Sequence, residues 1–292
     1  MSTTETAASR YHGIEDWPLP DMVEALIESQ MAAIAAVHGL RAELADAIEA
    51  AAGRLRAGGR LIYLGAGTSG RIATQDAAEL APTFSWSAER ALSLMAGGQR
   101  AFTEAIEGAE DDGAAAVAAL QAAGVGPADV AVGVAASGRT PYTVAGLAHA
   151  RAAGALTIGV FNNPGGRLGE VCEIALLAPT GAEVVAGSTR LKAGTAQKAV
   201  LNCLSTGVML RLGLVYRGRM VEMRPTNAKL QARAVAMVAD LTGAAPDAAE
   251  AALHAAGGTI KVAVVMLALG LEAGAARSRL EAAGGNLRTA LA

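Results

Sequence analysis

The sequence predicts an α/β fold in which a five-stranded parallel sheet lies between layers of helices. Short apolar, β-prone runs alternate with helix-like stretches through the middle of the 292-residue chain. Such alternation is typical of a parallel sheet with helices on both faces. Two of the runs end in loops of similar composition, at residues 65–71 and 135–140, which favours repeated strand–loop–helix units.

The predicted elements follow one another along the chain. Residues 20–57 carry apolar residues at helical spacing and predict two helices before the first strand. The predicted strands are residues 61–65, 91–96, 130–135, 156–161 and 174–178. Helices are predicted near residues 71–80, 99–108, 112–124 and 141–153, then from about 191 to 212, and as several short helices in 227–292 broken at 242–243, 257–258 and 284–285. We therefore expect an N-terminal helical segment (1–57), an α/β domain (58–220) and a C-terminal helical subdomain (221–292).

The composition excludes several classes of protein. Hydrophobic residues make up 52% of the chain and aromatic residues 3%, and a net charge of −3 provides no long-range attraction for nucleic acid or anionic lipid. No apolar run reaches the roughly 18 residues that cross a bilayer, and the polar, acidic N-terminus does not resemble a secretory signal. Cys172, Cys203 and four scattered histidines lack the spacing of a disulfide framework or a metal site. We expect a soluble cytoplasmic protein without a metal, which binds neither nucleic acid nor membrane.

The first loop follows the apolar run 61–65 and leads at once into a helical pattern. Gly67 and its small neighbours let backbone N–H groups approach a ligand closely, and Thr68 and Ser69 add two hydroxyls. The helix that follows directs its positive end toward the same place. All of these features favour an anion, and phosphate is the first ligand that we expect.

The second loop follows the run 130–135 and repeats the Ser-Gly-Arg of the first, here as Ser137, Gly138 and Arg139. Thr140 then precedes a helix that begins near Pro141, where the missing proline N–H has no cost. Because parallel strands end at one edge of a sheet, both loops are expected to border a single crevice where the strand order reverses. Sugar phosphates and nucleotides both fit such a crevice.

Two nucleotide-binding motifs resemble the first loop but fail in detail. Gly65, Gly67 and Gly70 match Gly-x-Gly-x-x-Gly, yet the second strand runs into Ala-Gly-Gly where a dinucleotide fold needs an acidic residue for the ribose. A Walker loop requires lysine and then Ser or Thr, where this chain has Arg71 and Ile72. Neither nucleotide interpretation is favoured.

A third polar cluster, residues 187–198, begins the long predicted helix. Ser188 and Thr189 are predicted to cap this helix, and several cations, Lys192 among them, lie in its opening turns. Cations at a helix N-terminus oppose the macrodipole, so we expect a bound anion or an acidic partner such as Glu183. A solvated helix face is the alternative.

These motifs together resemble one bacterial enzyme family. Residues 61–71, 79–83, 107–111, 135–142 and 187–198 have the form and order found in N-acetylmuramic acid 6-phosphate etherases, and the similarity extends from about Gly58 to the C-terminus. The resemblance implies a sugar isomerase (SIS) fold, an α/β/α sandwich with a helical C-terminal subdomain, and a homodimer. It also implies a lyase of cell-wall recycling that removes D-lactate from the sugar phosphate and adds water, without a cofactor.

The resemblance also assigns residues to roles. Glu79 and Glu110 match the family's catalytic positions, and carboxyls can supply both the base for the C2 proton and the acid for the departing lactyl oxygen. Glu79 matches the proton donor and Glu110 the group that handles the C2 proton or the added water, and the division between these two roles stays open. The residues expected to hold phosphate and sugar are Gly67, Thr68, Ser69, Ser137, Arg139, Thr140, Glu183, Ser188, Thr189 and Lys192.

The position of Glu79 presents a geometric problem. It follows Ser69 by about ten residues, so an unbroken helix would carry it roughly 15 Å from the phosphate loop. Either that helix is interrupted, or Glu79 serves the site of the partner subunit. We expect an active site at the dimer interface.

The chain departs from the family pattern in two places. The family's Ser-Glu-Cys-Pro-Pro is replaced by residues 78–82, Ala-Glu-Leu-Ala-Pro, and the N-terminal segment after Thr4 and Glu5 differs from the family's Asn-rich stretch. Both changes bear on specificity. Two alternatives therefore stay open: a non-catalytic sugar-phosphate regulator similar to glucokinase regulatory protein, and an aldose–ketose sugar phosphate isomerase of the same fold.

Overall fold

A computed structural model describes residues 3–292, which form two compact units. Unit 1 comprises the chain up to Ala78 together with Ala88–Thr206, and unit 2 comprises Glu79–Ser87 together with Gly207–Ala292. The predicted division into three parts, at 57/58 and 220/221, stays a prediction.

Unit 1 is built on a five-stranded parallel sheet. Its strands are Leu61–Gly65 (β1), Ala91–Met95 (β2), Val130–Val134 (β3), Leu156–Phe161 (β4) and Ile174–Leu177 (β5). They lie in the order β2-β1-β3-β4-β5, so the strand order reverses at β1 and β3, where Gly65 is in register with Val134. Every residue of β1, β3 and β4 is buried, as expected for strands covered on both faces. All five predicted strands are confirmed to within one residue.

The helices of unit 1 flank this sheet. They are Leu19–His38 (α1), Arg41–Arg56 (α2), Gly67–Phe84 (α3), Gly113–Ala122 (α4), Pro141–Ala152 (α5), Leu168–Val171 (α6) and Lys192–Arg211 (α7), and the last turns of α3 and α7 belong to unit 2. Both α2 and α5 pack against the sheet. As predicted, Pro141 lies in the first turn of α5.

The predicted helix at residues 99–108 is wrong. This segment forms a short 3₁₀ helix, Gly98–Phe102, followed by turns that lead to a second one, Ala109–Asp111. Gly97 and Gly108 bracket the segment with φ angles of 81° and 71°, which no α-helix contains. Between them, the guanidinium of Arg71 donates to the carbonyl oxygens of Ala101, Phe102 and Glu104, which an α-helix would pair with backbone N–H groups four residues later.

Strand β1 and helix α3 approach each other closely at two glycines. A Cβ atom on Gly65 would lie 2.8 Å from the backbone nitrogen of Gly70, and one on Gly70 would lie 2.8 Å from the carbonyl oxygen of Gly65. Because the obstructing atoms are backbone, they cannot rotate away. Two of the three glycines in the Gly-x-Gly-x-x-Gly pattern are thus required for strand–helix packing.

A buried polar network holds α3 against β1 and α7. Tyr63 on β1 donates a 2.7 Å hydrogen bond to one oxygen of Asp76 on α3, and Asn202 and Ser205 on α7 donate to the other at 3.0 and 3.3 Å. Burial, followed by the neighbouring Asp76 charge, raises the pKa of Tyr63 well above its ordinary value. The tyrosine therefore stays protonated and keeps its role as donor.

Unit 2 is a bundle of short helices around an apolar core. In addition to residues 79–87 it contains Ala228–Thr242 (α8), Pro246–Ala255 (α9), Ile260–Leu269 (α10), Ala273–Ala282 (α11) and Leu287–Leu291 (α12). The predicted breaks are confirmed. The glycines at all three have positive φ angles, namely Gly243, Gly257, Gly258, Gly284 and Gly285.

Helix α10 lies in the core of unit 2 and carries one buried cation. Lys261 forms an ion pair with Glu222, and its Nζ also donates to the carbonyl oxygen of Gly285 at 2.6 Å. These partners satisfy a charge that would otherwise be costly to bury. Within residues 3–292, no single helix has both the length and the apolar character needed to cross a bilayer; α9 and α10 meet that criterion only as a pair bent by 118°.

Candidate active site

The carboxyl edge of the unit 1 sheet gathers the predicted binding loops. The first and second loops follow β1 and β3, which are adjacent strands, and the strand order reverses there as predicted. In open α/β sheets this position is where ligands bind. The third cluster begins α7, and its Gly194 lies beside Ile72 and Thr68 of α3, since a Cβ on Gly194 would lie 3.5 Å from a side-chain carbon of each. All three clusters therefore belong to one region of unit 1.

The first loop opens α3. Gly67 starts the helix with a φ of 52°, Thr68 is half-buried and Ser69 is buried. The first N–H groups of any helix lack intrahelical partners, so this turn presents amides at the position where the sequence predicts an anion site. Ser69 itself is engaged, because its Oγ donates to Oε1 of Gln197 at 2.9 Å.

Gln197 connects the first loop to the ends of the other strands. Its Nε2 donates to Oδ1 of Asn162 at 3.0 Å, and Nδ2 of Asn162 donates to the carbonyl oxygen of Ala178 at 3.0 Å. The backbone N–H of Asn162 also donates to the carbonyl oxygen of Ala136 in the second loop. Sequence reasoning missed Asn162 altogether, although an asparagine directly after an apolar strand is a usable signal.

The second loop is tightly turned after β3. Gly138 has a φ of 65°, and Oγ of Ser137 accepts the backbone N–H of Arg139 at 3.1 Å. The exposed guanidinium of Arg139 donates to the carbonyl oxygen of Gly165 at 3.3 Å. Thr140 is half-buried and makes no side-chain capping bond to α5, so its hydroxyl does not serve as a helix cap.

The prediction that Ser188 and Thr189 cap the long helix is wrong, because α7 begins later, at Lys192. The cap is Glu183, whose carboxylate accepts the backbone N–H of Lys192 at 3.1 Å and that of Ala193 at 2.9 Å. A buried carboxylate that satisfies two helix-terminal amides is a better cap than a single hydroxyl. Ser188 and Thr189 are half-buried and precede the first residue of α7.

The acidic partner predicted for the cations of this cluster is present. Burial raises the pKa of Glu183, and the two backbone hydrogen bonds and the Lys192 charge act against that rise. Burial lowers the pKa of Lys192, and the Glu183 charge opposes this while that of Arg10 adds to it. Both residues are buried, at 1% and 6% exposure. They form a compensated pair of buried charges beside the predicted anion site.

The N-terminal turn of the chain is fastened to the same edge of the sheet. Thr4 is buried; its backbone N–H donates to Oδ1 of Asn163, and its carbonyl oxygen accepts the N–H of Gly187 at 2.9 Å. Gly187 has a φ of 78°, and a Cβ there would lie 2.8 Å from Oε2 of Glu5. The segment that departs from the family pattern thus lies against the third cluster.

The two candidate catalytic glutamates are both exposed. Glu110 lies in the 3₁₀ helix Ala109–Asp111 of unit 1, immediately before α4, whose first turn is capped by Asp112. Glu79 lies on α3 within unit 2, followed by a buried Leu80. The interruption that was one explanation for the position of Glu79 is not found, since α3 runs continuously from Gly67 to Phe84.

Among residues 3–292, no group of three or more His, Cys, Asp or Glu side chains is placed to hold a metal ion. The three loop clusters and the two candidate glutamates supply carboxylates, hydroxyls, ammonium and guanidinium groups, and helix-terminal amides. Such a set suits proton transfer on an anionic ligand.

The fold and its loops define a protein of the SIS class. Residues 43–151 match the family model of the glucokinase regulatory protein N-terminal SIS domain. The structure is similar to that of a phosphoheptose isomerase from Francisella tularensis, with a TM-score of 0.50 at 18% identity, covering 66% of this chain and 100% of that chain. This second likeness is one of fold alone.

Curated relatives define the family more narrowly. The chain is 50% identical over 270 residues to N-acetylmuramic acid 6-phosphate etherase of Deinococcus radiodurans, covering 92% of this chain and 88% of the relative. It is 46% identical over 288 residues to the protein of the same name from Mycolicibacterium smegmatis, covering 99% and 97%. The chain belongs to the N-acetylmuramic acid 6-phosphate etherase family.

Proposed function

We propose that the chain is a lyase that converts N-acetylmuramic acid 6-phosphate to N-acetylglucosamine 6-phosphate and D-lactate. The observation that carries this proposal is its 50% identity, over nearly the whole chain, to a relative with that name. The loops at the carboxyl edge of unit 1 support it, because they join helix-terminal amides, hydroxyls and a buried lysine at one edge. Both candidate catalytic glutamates are present and exposed.

The elimination requires two proton transfers, and the hydration that follows requires a water and two more. In the open-chain sugar, the C2 proton is acidic because it lies beside the C1 carbonyl. One carboxylate removes it, the C3–O bond breaks, and a carboxylic acid protonates the departing lactate oxygen. Water then adds at C3 of the unsaturated intermediate and a proton returns to C2. The sequence is redox-neutral, so it needs no electron acceptor.

We assign these transfers to Glu79 and Glu110, and binding to the three loops. We assign the phosphate to the amides that open α3, with Thr68, Ser137 and Thr140, and assign Lys192 as a source of positive charge. The remaining binding residues of the proposal are Gly67, Ser69, Arg139, Glu183, Ser188 and Thr189.

We also propose that the chain forms a homodimer. One face of α1 exposes six apolar side chains at helical spacing, from 37% to 69% exposed: Leu19, Val23, Leu26, Ile27, Met31 and Ile34. Covering this face in two copies would bury on the order of 1,000 Å², which is close to the lower limit of a stable interface. A two-fold axis brings identical faces together, so a second copy of the chain is the partner we propose. We place the active site near this interface, so that Glu79 can act in the partner's site.

A cytoplasmic location completes the proposal, since a sugar phosphate carries charge that does not cross a bilayer readily. Incubation of the purified protein with N-acetylmuramic acid 6-phosphate, followed by assay of D-lactate, tests the function. The etherase releases one lactate for each N-acetylglucosamine 6-phosphate. A regulator binds the sugar phosphate without changing it, and an isomerase changes the sugar without releasing lactate. Either of the last two results would overturn the proposal.

A further inference from the structure

The hydroxyl hydrogen of Ser69 is already used in a hydrogen bond within the protein. Ser69, Gln197 and Asn162 form a buried chain of hydrogen bonds that ends on the carbonyl oxygen of Ala178. The exposed fractions of these residues are 8% for Ser69, 1% for Gln197 and 0% for Asn162. Water therefore has little access to exchange partners with any of them.

The direction of every hydrogen bond in this network follows from its last acceptor, the carbonyl oxygen of Ala178. A peptide carbonyl can only accept, so Asn162 must turn its NH₂ group toward Ala178. The Oδ1 atom of Asn162 then faces Gln197 and can only accept, so Gln197 must present its own NH₂ group there. This leaves Oε1 of Gln197 toward Ser69, and the serine must donate to it. No amide in the chain can be flipped without placing two acceptors or two donors against each other.

From this polarity we infer that Ser69 accepts a hydrogen bond from the sugar part of the ligand and does not donate to its phosphate. Gln197 and Asn162 are then positioning residues that impose this preference. The inference rests on the proposed function in one respect, namely that the ligand is a sugar phosphate. Ser69 is then a residue that recognises the sugar part of the ligand, and not a phosphate ligand.

The chemistry of the two ligand parts supports this division. A phosphate monoester near neutral pH carries almost only acceptor oxygens, since its second pKa is about 6. Its oxygens would meet the lone pairs of Ser69 without a hydrogen between them. A sugar offers hydroxyl donors, and an N-acetylated sugar also offers an amide N–H. Turning the serine hydrogen toward phosphate would leave Oε1 of buried Gln197 without a donor, and an unpaired buried acceptor is destabilising.

Calorimetric binding of two ligands separates the two roles of Ser69. Inorganic phosphate probes the anion site alone, and N-acetylglucosamine 6-phosphate probes the anion site and the sugar site together. For Ser69→Ala we expect the dissociation constant of the sugar phosphate to rise roughly 3- to 12-fold, the worth of one neutral hydrogen bond. The dissociation constant of inorganic phosphate should stay within about 2-fold. Equal weakening of both ligands would overturn the inference.

Two further variants control for structural damage. Thr68→Val removes a neighbouring hydroxyl that does not belong to this hydrogen-bond network. We expect it to weaken the binding of both ligands by a similar factor. Gln197→Met releases the serine hydrogen, so the sugar phosphate should bind more weakly while inorganic phosphate binds at least as tightly as before. In the Ser69→Ala background, Gln197→Met should leave the ratio of the two affinities unchanged. A change in that ratio would show that Gln197 does not act through Ser69.

These binding measurements do not depend on turnover. If the protein releases no lactate but the variants behave as expected, the proposed function fails and the assignment of Ser69 stands. If lactate is released but Ser69→Ala weakens both ligands equally, the assignment fails and the function stands.

Discussion

The carboxylate of Glu183 accepts a 2.9 Å hydrogen bond from the backbone N–H of Ala193, ten residues later in the chain. Its other oxygen accepts the N–H of Lys192, so a single buried side chain satisfies two amides that open α7. The negative charge of the same carboxylate also raises the pKa of Lys192, against the effect of burial. The start of α7, which carries the third polar cluster, therefore depends on Glu183.

Replacement of this cap should destabilise the protein. For Glu183→Ala we expect a loss of about 1–3 kcal/mol in the free energy of unfolding, because two buried amides lose their acceptor. Urea unfolding measures the difference. Glu89→Ala, an exposed glutamate of the same unit, is the matched control and should change stability by less than about 0.5 kcal/mol. If the two variants are equally stable, Glu183 is not an important cap.

The same residue predicts a pH dependence. Because burial raises the pKa of Glu183 above its ordinary value of 4.5, the folded chain favours the protonated carboxyl. The stability contributed by that preference is fully present below pH 4.5 and is lost as the pH rises through the raised pKa. The stability of the wild type relative to Glu183→Gln, which cannot ionise, should therefore fall as the pH increases from 4 to 7. A difference that is constant with pH would contradict the raised pKa.

The two packed glycines should tolerate no side chain. Gly65→Ala places a Cβ 2.8 Å from the backbone of Gly70, so we expect a loss of about 3 kcal/mol or more, or failure to fold. Gly53→Ala is the control, since Gly53 lies inside α2 with no atom within 4 Å of the added Cβ. There alanine should stabilise the chain by about 0.5–1 kcal/mol. Thermal unfolding compares the two, and a harmless Gly65→Ala would show that β1 and α3 can separate.

The candidate catalytic glutamates should matter for turnover and not for folding. Because both are exposed, Glu79→Gln and Glu110→Gln should leave the melting temperature within about 2 °C of the wild type. Loss of a general acid or base should lower kcat by roughly 10²- to 10⁴-fold, measured as D-lactate release. Glu104→Gln, an exposed acid near Glu110, should keep nearly full activity. Retention of more than about a tenth of kcat by either variant would remove that residue from the proposed pair.

The apolar face of α1 should determine the oligomeric state. Ile27→Glu puts a charge at the centre of this face, so we expect a dimer to become a monomer in sedimentation velocity measurements. Ala42→Glu, at an exposed position of α2, is the control and should leave the dimer intact. A wild-type monomer, or an Ile27→Glu variant that remains dimeric, would rule out this interface.

Mixed dimers test whether Glu79 acts in the partner's site. Glu79→Ala and Ser137→Ala should each be inactive alone. If sites are shared, a mixed dimer contains one site with both residues intact, so random exchange of subunits should restore about a quarter of the wild-type activity. Subunit exchange is verified by native mass spectrometry. No recovery in verified mixed dimers would place Glu79 in the site of its own subunit.

Local patterns in the sequence predicted much of the fold. The five strands were located because each is a short apolar run between breaks. The helix breaks in unit 2 were located because glycines end helices there. Glu183 was identified as an acidic partner because cations at a helix start require one. The helix predicted at residues 99–108 is absent because carbonyl oxygens of this segment accept hydrogen bonds from the side chain of Arg71, a contact that no local pattern indicates.

Contacts between distant parts of the chain were not predictable in this way. Ser69 and Gln197 are separated by 128 positions, and Thr4 and Asn163 by 159. No local pattern indicates that such residues meet, since the sheet order brings them together. The cap of α7 was misassigned for the same kind of reason: a loop returns Glu183 to the helix start, and two nearer hydroxyls fitted the local rule equally well.

We propose that this chain breaks the bond between C3 of the sugar and the lactyl oxygen. Turnover of N-acetylmuramic acid 6-phosphate in ¹⁸O-labelled water tests it most directly. Elimination followed by hydration predicts D-lactate without label and N-acetylglucosamine 6-phosphate with one ¹⁸O, located at C3. Labelled lactate, or no lactate from a protein that binds the sugar phosphate, would contradict the account.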